Sequence, residues 1–352
     1  MKLETALSMI RPLDEEIMTK VWAAWDKKCI PLRSLGRLQE MVVRLAGILE
    51  TPEPVLGKKA AVVMAADNGV IEEGVTQTDY HVTSTVVCNM TREDATIAIF
   101  ARMAGADVFP IDIGMKDDVS CDGVICRKIM HGTNNMTKGP AMPREKAVEA
   151  IEIGIDTVLA LKEAGYGLLA TGEMGIGNTT TSSAMASVFF DLPPEQVTGR
   201  GAGLSTQGLV RKIAAIKKAI SVNKPDRDDP IDVLCKLGGL DIAGLTGCFI
   251  GAAACRVPIV IDGFISSVAA LCAVRIEPMC RGFMFPSHVS AEPAGDLVLK
   301  HLGLEAYLHA GMCLGEGTGA VACFKFFDEA LEAYKKLPTF EQGHVEAYKP
   351  LT

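Results

Sequence analysis

The chain has 352 residues, 49% of them hydrophobic, 22% charged and 5% aromatic, which is long for one core and makes two structural units the expectation. A formal charge of −8 without a basic stripe argues against nucleic acid as a partner. The strongly apolar stretch 239–275 is cut by Asp241, Arg256 and Asp262, short of the ~20 uninterrupted residues of a spanning helix, so no membrane is expected.

The first 57 residues read as helical. Apolar residues recur at helical spacing from Leu13 to Lys28 and from Leu35 to Leu49; Pro31 separates the two runs, and Pro52 and Pro54 close the segment. Lys59 to Ala65 predicts the first strand, and a loop begins at Asp67. A helix ending near Ala104 leads to a second strand, Asp107 to Ile113, and a long helix over about Arg144 to Ala164 leads to a third, Tyr166 to Ala170. Ser182 to Val188 has a small-residue helical pattern, Thr206 to Ile220 is amphipathic, and Leu240 to Ala254 is small and apolar. The chain then predicts a buried strand from Pro258 to Ile261 ending at Asp262, a helix from Ile265 to Val274, and a late strand from Gly282 to Phe285. A last long helix covers Ala320 to Tyr334. Strands that alternate with helices predict an α/β fold with a parallel sheet and helices on both faces. Residues 58–329 would form this large unit, and 1–57 with about 330–352 a small helical one. Ligands of such sheets sit beyond the carboxyl ends of the strands, so the loops after strands are where chemistry is sought.

Residues 171–180, Thr-Gly-Glu-Met-Gly-Ile-Gly-Asn-Thr-Thr, are the most informative of these loops. Glycines running into a helix let backbone N–H groups approach an anion, and Glu173 sets a carboxylate beside them. Gly199-Arg200-Gly201-Ala202-Gly203, before a helix bearing Lys212, suits a phosphate in the same way. Asp67-Asn68-Gly69-Val70, the 131–142 loop and His288-Val289-Ser290-Ala291-Glu292-Pro293 are polar turns, and a lone His288 reads more readily as structural than catalytic. In Leu314-Gly315-Glu316-Gly317-Thr318-Gly319, glycines on both sides open Glu316 to a ligand. No GxGxxG with an acid about twenty residues on follows the first strand and no GxxxxGK[ST] occurs, which weakens dehydrogenase and P-loop readings. The eleven cysteines and six histidines show no metal-ligand spacing and no secretory signal opens the chain. Reduced thiols, a cytoplasmic location and no metal or cofactor are therefore expected.

Eight segments together resemble the nicotinate-nucleotide–dimethylbenzimidazole phosphoribosyltransferase family of cobamide lower-ligand assembly. They are AADNGV (65–70), EEGV (72–75), GPAM (139–142), GEMGIGNTTT (172–181), GRGAGL (199–204), DGFISSVAAL (262–271), HVSAEP (288–293) and LGEGTGA (314–320), in the family's order. The resemblance implies a Rossmann-like sheet with a small helical domain from both termini, a dimer, either homomeric or with a paralogue, and no cofactor. It implies transfer of phosphoribose from nicotinate mononucleotide to an aromatic base in cobalamin biosynthesis, giving an α-ribotide and nicotinate. By motif, Glu316 matches the general base and Glu173 joins it as catalytic. Gly175, Gly177, Asn178, Lys212 and Ser290 fall where the nucleotide is held, and Met174 and Leu314 border the acceptor. Thr179, Gly201, Asp241, Asp262, Thr76 and Ser84 complete the substrate-binding candidates. Asn68 stands where the family usually has His and Asn134 where it usually has Arg, so the acceptor could be another azole, a purine or a phenol. A weakly active or non-catalytic paralogue subunit is the alternative.

The implied chemistry is physically coherent. Nicotinate leaves from a cationic glycosidic nitrogen and needs no proton. An attacking azole nitrogen makes its second N–H acidic, and a carboxylate at that edge removes the proton. Attack from the face opposite nicotinate inverts β to α. Apolar surroundings such as Leu314 would have to offset the helix dipole that lowers the basicity of Glu316.

Overall fold

A computed structural model describes residues 1–348. Helices α1 (Leu3–Met9), α2 (Glu15–Trp25) and α3 (Arg37–Leu49) precede strand β1 (Lys58–Ala66). Then come α4 (His81–Thr91), α5 (Thr96–Ala104), β2 (Ala106–Gly114), β3 (Ile125–Cys126), α6 (Arg144–Glu163) and β4 (Tyr166–Met174). Helices α7 (Asn178–Phe190), α8 (Pro194–Val197), α9 (Thr206–Asn223), α10 (Pro230–Leu237) and α11 (Leu240–Cys255) lead to β5 (Ile259–Ile261). The remainder is α12 (Phe264–Ile276), β6 (Met284–Pro286), α13 (Gly295–His301), α14 (Thr318–Ala322) and α15 (Phe324–Lys336).

The six strands are all parallel, in the order β3-β2-β1-β4-β5-β6. This is the doubly wound arrangement, and its order reverses between β1 and β4. Both central strands are buried on both faces, Ala60–Ala66 and Leu168–Glu173 without a break, as a sheet covered by helices requires. Helix α11 is buried along its whole length because it lies between α6, α12, α1 and the sheet. A Cβ on Gly247 would stand 1.9 Å from the carbonyl oxygen of Ile151, so only glycine permits that approach. The apolar stretch 239–275 is thus a central helix, a short strand and a second helix inside the protein. Among the described residues no helix is long and apolar enough to cross a membrane.

The terminal segments meet. Helices α2 and α3 pack on each other and α3 on α15, with a bridge between Lys28 and Thr339.

Several expectations are corrected. The last helix is two: a turn at Cys323 separates α14 from α15. The late strand starts at Met284, because Pro278–Phe283 forms a 3₁₀ helix. Helices α4, α8, α10 and α13 and the two-residue β3 lie in segments the sequence reading left unassigned. The thiols are not all reduced: Cys88 of α4 and Cys121 of the loop after β2 form a disulfide, their Cα atoms 5.7 Å apart, and nine cysteines are free. Sequence spacing cannot show this pair, because residues 33 apart meet only once α4 lies over that loop.

Candidate active site

The reversal between β1 and β4 opens a crevice at their carboxyl ends, and a cleft of about 850 Å³ occupies it. Strand β4 delivers Glu173 and Met174 to its floor, and the 175–177 turn feeds α7. Gly177 caps α7 at φ +96°, a conformation glycine alone enters freely, and brings the start of the helix to the cleft wall. The opposite wall is the 313–316 loop. Gly315 lies so near that a Cβ on it would sit 2.4 Å from Glu173 Oε1.

Glu173 is buried, and burial together with the charge of Asp241 pushes its carboxyl up to about 8. Asn178 donates from Nδ2 to Glu173 Oε2 and, at 2.9 Å, to Asp241 Oδ2. Burial raises Asp241 in the same way, to about 7. Glu316 holds φ +63° just before α14, and its Oε2 has no hydrogen-bond partner among the described residues. Partial burial raises its carboxyl, a backbone N–H of Ile97 at the start of α5 pulls the other way, and the charge of Asp262 adds to the rise. Leu314 does not cause this burial, being 57% exposed at the cleft mouth.

The other end of the cleft suits an anion. Lys212 projects from α9 into the protein, 1% exposed, and donates to Thr179 Oγ1 at 2.8 Å and to the Gly199 carbonyl at 3.1 Å. Burial lowers its ammonium to about 8 against the charge of Glu292. The amide of Gly201 donates to Glu292 Oε1 at 2.9 Å, fixing the glycine loop over Lys212.

Of the residues named from sequence, Glu173, Met174, Gly175, Gly177, Asn178, Thr179, Gly201, Ser290, Leu314, Glu316 and Thr76 line this one cleft. Four do not. Lys212 lies behind Thr179, and Asp241 behind Asn178. Asp262 spends both oxygens on backbone, accepting from the amides of Gly317, Gly319 and Ala320 at 2.8–3.1 Å. Ser84 faces away, donating to the His81 carbonyl and Asp117, so α4 instead presents Val82 to the cleft. His288, read as structural, also lines the wall with Nδ1 3.0 Å from Ser287 Oγ. Gln77 and Val82 were missed. Gln77 binds the carbonyls of Ala202 and Gly203, a contact between loops with no sequence signal.

A larger hollow of about 1120 Å³ lies by the amino end of β1, between Lys59, Asp328 and Tyr334. It contains none of the named residues. The strand-end rule favours the smaller cleft.

Fold and cleft define an α/β enzyme that handles a nucleotide. A family model described as phosphoribosyltransferase matches residues 10–345. Nicotinate-nucleotide–dimethylbenzimidazole phosphoribosyltransferase of Acetivibrio thermocellus is 52% identical over 98% of both chains. The protein of that name from Ruminiclostridium cellulolyticum is 49% identical over the full length of both. The crystal structure of CobT from Thermus thermophilus superposes with a TM-score of 0.90 at 35% identity, covering 95% of this chain and all of that one. The chain belongs to the nicotinate-nucleotide–dimethylbenzimidazole phosphoribosyltransferase family.

Proposed function

We propose that the protein transfers the phosphoribosyl group of nicotinate mononucleotide to an aromatic lower-ligand base, releasing nicotinate and an α-ribotide. The observation that carries this reading is the meeting of two carboxylates, Glu173 and Glu316, with a glycine-rich anion site in one cleft. The phosphate lies against the start of α7, Thr179 and Gly201, with Lys212 behind them supplying positive charge. The acceptor ring enters between Met174, Val82 and Leu314.

Glu316, whose Oε2 is free of other partners among the described residues, takes the proton from the acceptor N–H as its other nitrogen attacks C1′. The C1′–nicotinate bond breaks with its electron pair going to the nicotinate nitrogen, which leaves neutral. Glu173 faces the ribose and favours the cationic character that develops there. Holding the two reactants in line is worth up to roughly 7–11 kcal/mol at ideal orientation.

The same reading makes residues 1–57 with about 330–352, of which 349–352 lie outside the described residues, a small helical unit, supported by the packing of α3 on α15. It also makes the protein a dimer. Ile99, Phe100 and Met103 give α5 an apolar outer face, with Met103 80% exposed. Sedimentation of the wild type against Met103→Lys tests it: a monomeric wild type rejects the dimer.

For the reaction, the purified chain is incubated with nicotinate mononucleotide and a panel of benzimidazoles, purines and phenols. Nicotinate release matched by an α-ribotide of the acceptor's mass is expected. No release with any acceptor overturns the proposal.

A further inference from the structure

Behind the cleft floor lies a polar pair that does not itself line the cleft but touches residues that do. Asp241, at the start of α11, is fully buried, and only its Oδ2 is hydrogen-bonded, to Asn178. Its Oδ1 has no partner among the described residues, and neither has Oδ1 of the buried Asn68. These two orphaned acceptors are neighbours. A Cβ placed on Gly239 would stand 2.3 Å from Asp241 Oδ1 and 2.5 Å from Asn68 Oδ1. On the other side, a Cβ on Gly175 would stand 2.7 Å from Asp241 Oδ2. Two glycine backbones therefore close over the pair.

Two buried oxygens that only accept cannot sit together at no cost. One proton removes both defects. We propose that Asp241 is a neutral positioning residue: its Oδ1 carries a proton donated to Asn68 Oδ1, while its Oδ2 and Asn178 hold Glu173 in place. The chain Asn68–Asp241–Asn178–Glu173 then has a donor for each acceptor. It ties the loop after β1 to the floor of the cleft and rests on the proposed reaction only for its purpose.

The surroundings agree. The charged groups facing Asp241 are Glu173 from β4 and Asp67 from the end of β1, both carboxylates, while Asn178 from α7 is neutral. Glu173 is faced further by Asp262 and Glu316. Burial, with some repulsion, favours a retained proton and outweighs the opposing pull of the Asn178 amide and of the backbone amides of Ile242 and Asp241 at the start of α11. The two acids differ in access. Glu173 opens to the cleft, where the pyridinium–ribose end of the nucleotide favours its ionised form; Asp241 is shielded from that charge and keeps its proton. The alternative, an Asn68 side chain turned so that Nδ2 meets an ionised Asp241, would set Asn68 Oδ1 towards the carbonyl of Ile176, now 3.5 Å from Nδ2. That leaves two acceptors together again.

Infrared spectroscopy of the full chain saturated with nicotinate mononucleotide, without acceptor and at neutral pH, reads the proton directly. The C=O band of a protonated carboxyl, shifting in D₂O, is expected in the wild type and in Glu173→Gln and is lost in Asp241→Asn. In Asn68→Leu, which cannot accept, the band persists at higher wavenumber. That variant also lowers kcat about tenfold or more while KM for nicotinate mononucleotide stays within about twofold, because Glu173 is misaimed and the anion site is untouched. A band lost in Glu173→Gln but kept in Asp241→Asn places the proton on Glu173 and overturns the proposal, as does the absence of any such band. Should Asp241→Asn fail to fold by circular dichroism, the shift in Asn68→Leu decides. Calorimetric titration of the wild type with nicotinate mononucleotide separates the two readings: no binding defeats the proposed reaction, and the band is then read just below neutral pH on free Glu173→Gln, in which Glu173 can no longer supply it.

Discussion

Glu316 can accept a proton only when ionised, and its surroundings decide at what pH that happens. Partial burial and the charge of Asp262 lift its carboxyl above the usual 4.5, so turnover rises with pH through that raised value. Glu316→Gln removes this acid limb and lowers kcat by ~10²–10⁴, with nicotinate mononucleotide affinity largely kept. A mutant of near wild-type rate assigns the base elsewhere. In the proposed reaction Lys212 is expected to set the opposite limb. It must be protonated to attract phosphate, and burial has brought it down to about 8, so KM for the nucleotide rises as pH passes that value. Initial-rate pH profiles read both limbs. The two acids were legible because each stands in a glycine-rich run that a core would not require. That Lys212 lies behind Thr179 was not legible, since only the fold of α9 against α7 brings the residues together.

At the level of elements, Glu316 depends on how α14 is held. The amino end of this helix has no cap of its own, and Asp262 supplies one from the end of β5 by accepting from the amides of residues 317, 319 and 320. Asp262→Ala leaves those buried donors unpaired. It is expected to lower stability by about 1–3 kcal/mol in urea unfolding and to reduce kcat as Glu316 loses its position. Asp262→Asn, which still accepts, recovers part of both; a wild-type rate in the alanine variant removes Asp262 from this role. Sequence reading took Asp262 for a ligand contact, because an acid ending a strand gives no sign of which amides it will meet. Helix α4 escaped notice for a different reason. His-Val-Thr-Ser-Thr-Val-Val is rich in β-branched residues that disfavour helix, and tertiary bonds override that preference. Thr83 donates to Asp67 Oδ1 at 2.6 Å and accepts from the Ile176 amide at 3.2 Å, while Cys88 is bonded to Cys121. Thiol titration in denaturant should find nine reactive groups, and eleven after reduction; eleven from the start contradicts the disulfide.

For the whole molecule, collecting carboxylates at one switch point makes stability depend on pH. Asp241 and Glu173 hold protons in the native state up to about 7 and about 8, whereas the unfolded chain releases them near 3.8 and 4.5. Native protein therefore binds more protons across that window. The stability they contribute is complete below about 4 and is lost as pH rises towards 8, at about 1.4 kcal/mol per pH unit for each fully retained proton. Lys212 has the reverse sign. The unfolded chain keeps its proton up to 10.5 and the native site gives it up near 8, so above 8 this group favours folding as pH rises. Urea unfolding of the free protein should show stability falling from pH 5 to about 8 and then recovering as Lys212 gives up its proton in the native state. Asp241→Asn should flatten the fall without touching the upper limb. A fall of equal slope in that variant would mean that Asp241 is ionised in the native state. The cluster is thus a cost to the empty fold at neutral pH, and in the proposed complex a nucleotide with its cation beside Glu173 and its phosphate before Lys212 would offset it from both ends of the cleft.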